Sequence, residues 1–443
     1  MAYHGDCCSF WSRSAKKVAG TFFAGPALAL ALLICGAERA AGQDEEGKIA
    51  TWQRLESAAE TRAYKEAVRG GAFDAAARAF LEQTALPQLA LEANRPTIER
   101  VRKRMRELLL GDIGSEAAAD DASRTVLSFM EALAKNADAP PVARVNAMLL
   151  VGELQGTDRR PWKPASAVLA REAADPKQSK AVRIAAVVGL VRHVEAAKAS
   201  AEERQRLAQA ARPAILAILG EPTTRENAAE NDWLASRCLS MLPLMGPLDP
   251  QFAAAVTAIL GDAKRSIDVR VRAAAALAAA SPEAKVDAGA VIATVRSLAV
   301  ESLKADIAVA ERLQLESDPS LGGVSAPGGP RPPAAPGFAA DATQQAAVSL
   351  LPSEVGRRAA WRLVTLADAI LTDDGKRGIA VVAGGEPPAD ARVLAQSLRG
   401  GAMVLDENPE ESALRQVLAD LEPPAPAKDE KAAVAPQRSR LGA

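Results

Sequence analysis

Four segments of this chain repeat one short pattern, and that recurrence constrains its fold more than any other feature. They read PVARVNAMLLVGEL at 141–154, AVRIAAVVGLVRHV at 181–194, WLASRCLSMLPLMG at 233–246 and VRVRAAAALAAA at 269–280. Each has an apolar residue, usually an arginine, a small residue three places later and then another apolar one. Anchored on Arg144, Arg183, Ala235 and Arg272, the copies are 39, 52 and 37 residues apart. Two of these spacings lie near the roughly 40-residue period of stacked helical hairpins. The long one contains the polar stretch GEPTTRENAAEN at 220–231, read as a loop that inflates one repeat.

Composition agrees with helices. Hydrophobic residues make up 49% but aromatics only 3%, so the apolar content is mainly alanine, leucine and valine. Alanine is the strongest helix former, and alternating β-branched runs that would argue for sheet are nearly absent. The spacing predicts second helices over Ala165–Ala174, Ala201–Leu219 and Phe252–Leu260 between the anchors. Each pair is a helix–turn–helix that buries its apolar face only by stacking on the next. Ala147, Ala186, Cys238 and Ala275 are expected where neighbouring helices come closest, and Pro243 is expected to interrupt its helix.

The segments resemble HEAT repeats. The resemblance rests on Asp175-Pro176 ahead of Val182-Arg183-Ile184-Ala185-Ala186 with Gly189-Leu190 following, on Asp268 ahead of Val271-Arg272-Ala273-Ala274-Ala275, and on Ala143-Arg144-Val145-Asn146-Ala147. It covers about 123–310, and the 233–246 copy departs from it by lacking the arginine. The resemblance implies an all-α chain of hairpin repeats stacked as an α-solenoid, and a protein that binds a partner rather than one that performs chemistry. It also implies that Arg144, Arg183 and Arg272 pair with a carboxylate or a helix C-terminus between repeats.

The remaining chain divides by composition. Residues 1–42 carry Arg13, Lys16 and Lys17 ahead of the apolar run Val18–Ala37, the pattern of an export signal. Small residues allow cleavage after Ala37 or Gly42. An uncleaved membrane anchor is the alternative, because twenty apolar residues just span a bilayer. Ile34 ahead of Cys35 speaks against a lipoprotein site. An N-terminal helical region at 48–122 follows, with helices over Trp52–Val68 and Phe73–Leu81 separated by Gly70 and Gly71, and a third opened by Asn94 and Pro96 and stopped at Gly111. The repeats occupy 123–315, with a helix over Ala288–Leu315. A Gly/Pro-rich segment at 316–345 reads as a flexible linker. A C-terminal helical region at 346–421 is expected to hold helices over Glu354–Leu371, Ala389–Leu398 and Glu410–Leu421. GIAVVAGG at 378–385 fits either a short strand or a helix, and the tail 422–443 reads as disordered.

Little in the sequence suggests catalysis. Only His193 and Cys238 lie beyond the leader among histidines and cysteines, which excludes a structural zinc site, and no cofactor is expected. Cys238 reads as a buried thiol, and His193 as a group meeting the end of its helix. The adjacent carboxylates Asp120, Asp121 and Glu202, Glu203 read as solvated helix ends. No G-x-S-x-G or phosphate loop is present. GGVSAPGG at 322–329 lacks the strand and helix a phosphate cradle needs.

One basic cluster remains, at 95–106. Arg95, Arg102, Lys103 and Arg106 are the candidate partner-binding residues, within a run that also holds Arg100 and Arg104. Such runs are usually solvated faces; the functional version meets an acidic partner. With 54 Lys and Arg against 55 Asp and Glu, and no aromatics interleaved in the cluster, nucleic acid is not the expected partner. The sequence therefore predicts an exported, extracytoplasmic scaffold or adaptor that binds a protein or other macromolecular partner, with membrane association through its N-terminal segment if that segment is uncleaved. The alternative is an exported enzyme or accessory protein whose 354–421 segment forms a small α/β unit.

Overall fold

A computed structural model describes residues 58–111, 113–197, 200–317, 340–382 and 386–422. The chain divides into a unit at 1–51 and one at 52–443, and all described residues belong to the second. The expected leader, the 318–339 part of the linker and the tail beyond Glu422 lie outside them. No strand occurs among the described residues, and no helix there is long and apolar enough to cross a membrane.

The chain is all-helical. The described residues open with α1 (Ala59–Arg69) and α2 (Ala75–Phe80), then a wide π turn over Leu81–Ala85 and two tight 3₁₀ turns over Leu86–Leu89 and Glu92–Thr97, then α3 (Ile98–Leu110). Hairpins follow: α4 (Glu116–Lys135) with α5 (Pro141–Val151), α6 (Lys163–Ala174) with α7 (Lys180–Ala196), α8 (Ala201–Leu219) with α9 (Ala228–Met245), and α10 (Pro250–Gly261) with α11 (Ile267–Leu277). The long helices α12 (Ala288–Ser317) and α13 (Ala340–Ile370) make a further pair. The chain closes with the single turn α14 (Ile379–Val382), α15 (Ala389–Glu407) and α16 (Glu411–Leu421).

Packing follows position within the hairpin. The second helices meet in sequence, α5 on α7, α7 on α9, α9 on α11, α11 on α13 and α13 on α15. The first helices do the same from α6 to α8, α10 and α12, and α16 then packs on α12. Small residues permit the close approaches. A Cβ built on Gly152, just past α5, would lie 2.6 Å from the Cα of Gly189 in α7. Only glycine at both places lets those two backbones touch.

Serine and aspartate set several of the starts. Ser115, Ser179 and Ser200 each accept an N–H from the first turn of α4, α7 and α8, and Asp249 does so ahead of Pro250 in α10. Three of the hairpin turns share one chemistry. Asn136, Asp175 and Asp262 each take the N–H two residues on with the side chain, at 3.0, 2.9 and 2.9 Å.

That shared turn corrects the repeat register. Arg144, Arg183 and Arg270 each donate from Nε to a carbonyl ten residues back, those of Ala134, Ala173 and Leu260, at 2.9, 2.8 and 3.0 Å. The arginine equivalent to Arg183 in α11 is thus Arg270, two residues before the expected Arg272. In α9 the buried set Asn231, Asp232, Leu234, Ala235, Cys238 and Leu239 matches Val182, Arg183, Ala185, Ala186, Gly189 and Leu190 of α7. Asp232, not Ala235, therefore holds the arginine position, and the spacings become 39, 49 and 38. Ala147 and Ala186 are fully buried as expected, whereas Ala275 is half-buried and Ala273 takes the inward place.

Other expectations shift at their edges. Asn94 does not cap α3: its buried amide donates to the Gln88 carbonyl and Oε1, both at 2.9 Å, inside a 3₁₀ turn over Glu92–Thr97. Pro243 sits in the last turn of α9, where only one backbone bond is lost, and the helix runs on to Met245. The polar stretch after α8 is loop only to Asn227, because α9 already begins at Ala228. The ambiguous 378–385 segment is helical over Ile379–Val382. α13 reaches back to Ala340, inside the expected linker, and α15 continues through Gly400 and Gly401 to Glu407.

The packing predicts a simple contrast. Ala186→Leu places a large side chain at a fully buried contact and should destabilise the fold by about 1–3 kcal/mol. Thr224→Leu, in the exposed turn before α9, should change the thermal midpoint little. Equal shifts would mean that position 186 is not a helix–helix contact.

Candidate binding surface

α3 is built as an amphipathic helix. Ile98, Val101, Met105, Leu108 and Leu109 recur at helical spacing and are buried. The remaining positions are almost all charged, so the exposed side of the helix is crowded with cations. Arg100 and Lys103 are exposed, while Arg102 and Arg106 are half-buried beside the neighbouring hairpins. Glu99, Arg100, Arg102, Lys103, Arg106 and Glu153 line an open groove of about 310 Å³.

Glu153 forms one wall and is itself held. It follows Gly152 at the end of α5, and its Oε1 accepts from Arg102 Nη1 at 3.0 Å and from Arg192 Nη1 at 3.2 Å. Its side chain is only 10% exposed, so the carboxylate ties α3 and α7 together at a shielded spot. Among the described residues, Arg100, Lys103 and Arg106 have no carboxylate partner. Arg95 lies apart from the groove and pairs with Glu92 at 2.6 Å on the open surface. Of the four arginines and lysines singled out in the sequence, the structure therefore brings Arg102, Lys103 and Arg106 together and leaves Arg95 outside. Arg192, distant in sequence, joins them only through the fold.

One member of each carboxylate pair of the sequence is engaged in other work. Asp120 accepts from Trp162 Nε1 and Arg124 Nη2, both at 2.6 Å. These hydrogen bonds, that from Arg124 first, hold its carboxyl below the usual range. Glu203 pairs with Arg160 at 3.3 Å. Among the described residues no three His, Cys, Asp or Glu side chains gather as metal ligands. Cys238 is fully buried, and burial pushes its thiol up to about 12, which keeps it protonated and unreactive.

One serine–histidine contact was invisible in the sequence because its members are 27 residues apart. Ser166 Oγ lies 2.8 Å from His193 Nδ1, and both residues are 1% exposed. A nucleophilic pair needs a carboxylate behind the histidine and a hydroxyl that substrate can reach. Here the charged neighbours that tune the imidazole are Arg206 and Arg192, and the hydroxyl is sealed. The contact fastens α6 to α7.

The arginine ladder takes a form that only the structure reveals. Arg144 Nη2 donates to Gln178 Oε1 at 3.0 Å, Arg183 pairs with Glu221, and Arg270 Nη1 holds both carboxylate oxygens of Glu301 at 2.8 Å. At the third position the polarity reverses: Asp232 accepts from Arg265 Nη1 at 3.2 Å and from the Ser266 N–H at 2.7 Å. Burial alone would raise the Glu221 carboxyl, but hydrogen bonds from Arg183 and Lys180 outweigh it and hold the group below its usual range. Each hairpin thus reaches the next through a polar contact made from an equivalent position. Arg272 is outside this ladder. It lies over the Trp361 ring at 5.1 Å and reaches Ser240 Oγ at 3.3 Å, while Arg237 lies over Trp233 at 5.1 Å.

Compared with known proteins, the chain matches no family model, no curated protein and no solved structure.

Proposed function

We propose that this chain is an exported, non-catalytic scaffold or adaptor built as a HEAT-like α-solenoid, and that it binds a protein partner. The observation that supports the reading best is the succession of hairpins, each packed on the next and joined to it by a polar contact from an equivalent position. Such a stack gains surface with every added hairpin, and that surface is what repeat proteins use to engage partners. The residues invested in rigid pairing hold the hairpins in register rather than forming a reaction centre. Export rests on the basic, apolar and small-residue pattern of residues 1–42. That placement makes the cell envelope or the outside medium the compartment where the partner is met, with membrane association if the segment is retained.

Affinity capture of the full chain from its native envelope fraction tests the reading. One protein should be retained in a fixed ratio to the scaffold and should survive washing without detergent. Recovery of the folded chain with no protein in fixed ratio to it would remove the scaffold assignment.

A further inference from the structure

We propose that the groove on α3 is a docking site for an acidic, extended peptide segment that carries carboxylates at alternate positions. The proposal rests on the scaffold reading and deepens it by naming the chemistry of the partner. Arg100, Lys103 and Arg106 have no carboxylate partner among the described residues, yet they follow one another along one helix at intervals of three. Residues three and four apart on a helix lie about 5–6 Å apart at Cβ. Side chains two apart on an extended chain lie about 6.6 Å apart, on the same face. Three residues of helix rise only about 4.5 Å along the axis, so it is the long, flexible Arg and Lys stems that let these cations reach an Asp or Glu at every second residue of a strand laid along the helix.

The walls of the groove decide between kinds of anion. Glu99 and Glu153 stand among the cations. A chain of phosphates would meet those carboxylates with like charge at every register. A peptide offers backbone N–H donors between its acidic side chains, and these suit a carboxylate wall. Glu153 is fixed by Arg102 and Arg192, so it is a preset acceptor rather than a mobile one. A membrane surface is a poorer match. The exposed large apolar side chains among the described residues, Leu315, Val393, Met403 and Val404, lie on α12 and α15, and none is on α3 to enter a bilayer. Bases are a poorer match too, because no aromatic ring lines the groove.

The test uses the full chain and a fluorescent peptide of repeated Glu-Ser, followed by anisotropy at low and physiological salt. The Glu-Ser peptide should bind, a Gln-Ser peptide should not, and binding should weaken as salt rises. The double substitution Lys103→Glu with Arg106→Glu should weaken binding at least tenfold while circular dichroism stays unchanged. Arg392→Glu, on the surface of α15 and not on the groove, should leave binding as it is. Inorganic polyphosphate and vesicles containing anionic phospholipid serve as competitors. If either binds more tightly than the peptide, or if the double substitution leaves peptide affinity unaltered, the proposal is overturned. Failure here with a protein still captured from the envelope would place the partner on another face and leave the scaffold reading standing. Peptide binding with no protein captured would do the reverse.

Discussion

Asp306→Ala should destabilise the fold by about 3–5 kcal/mol, the usual cost of removing one partner from a buried ion pair. Asp306 lies in α12 with its side chain 1% exposed, and it accepts from two guanidiniums of α13. Arg358 Nη2 reaches Oδ1 at 2.7 Å and Arg362 Nη1 reaches Oδ2 at 2.8 Å. Arg362 is 6% exposed at its side chain, so without Asp306 its charge would stay buried with Asp268 alone, at 2.7 Å from Nε. Asp268 belongs to α11 and is half exposed, so water replaces it cheaply, and Asp268→Ala should cost about 1 kcal/mol or less. The two aspartates therefore separate burial from mere pairing. Urea unfolding monitored by circular dichroism, with both variants beside the parent chain, gives the comparison. Equal losses would mean that Asp306 is not the anchor that fastens α13 to α12. A loss confined to part of the transition would show that α12, α13 and α15 unfold as their own cooperative segment, as stacked arrays permit.

The sequence made the helices legible because their signals are local. Alanine content, caps such as Ser200 and stops such as Gly220 place α8 at its expected limits of Ala201 and Leu219. The same local logic failed where a residue's meaning depends on the fold. Gly400 and Gly401 look like a helix stop, yet a Cβ on Gly401 would lie 2.6 Å from Val417, so the glycine serves a close approach of α15 to α16. Arg272 looks like a ladder member because it follows a valine and precedes alanines. Arg270 follows a valine as well, and only the reach of its Nε to the Leu260 carbonyl distinguishes the two.

The third repeat was hardest to read for a related reason. Its arginine position is filled by Asp232, and the positive partner sits on the following turn as Arg265. Reversing both signs preserves the contact and erases the motif. The candidate surface on α3 was legible only in part. Charge density marks 95–106, but the sequence does not tell that Arg95 pairs outward with Glu92 or that Glu153 and Arg192 complete the groove. Those residues are joined by the packing of α3 on α5 and of α5 on α7, which no local pattern encodes.

Acidification should weaken the protein by about 2–3 kcal/mol between pH 7.5 and 4.5 through His193 alone. Burial comes first in lowering its pKa from the ordinary 6.5 to about 4, followed by the charges of Arg206 and Arg192, while the backbone of Gly152 opposes them. The sign follows from which state binds the proton. Below 6.5 the unfolded imidazole takes it up, whereas the folded one stays neutral until about pH 4, so stability is complete above 6.5 and falls as the pH drops through that window. The rest of the chain also contributes to the dependence of stability on pH, so the measurement must be a difference. Urea midpoints of the parent chain and of His193→Gln, whose amide can still reach Ser166, should diverge between pH 7.5 and 4.5, with the parent losing more. The histidine content makes a direct check possible as well, because His4 and His193 are the only two in the chain. The magnetic resonance signal of the His193 ring should remain that of a neutral imidazole at pH 5.5, where an exposed histidine such as a free peptide's is mostly charged. Parallel stability curves for the two chains, or a ring that titrates near 6.5, would show that His193 reaches solvent and that the α6–α7 contact is looser than its 1% exposure implies.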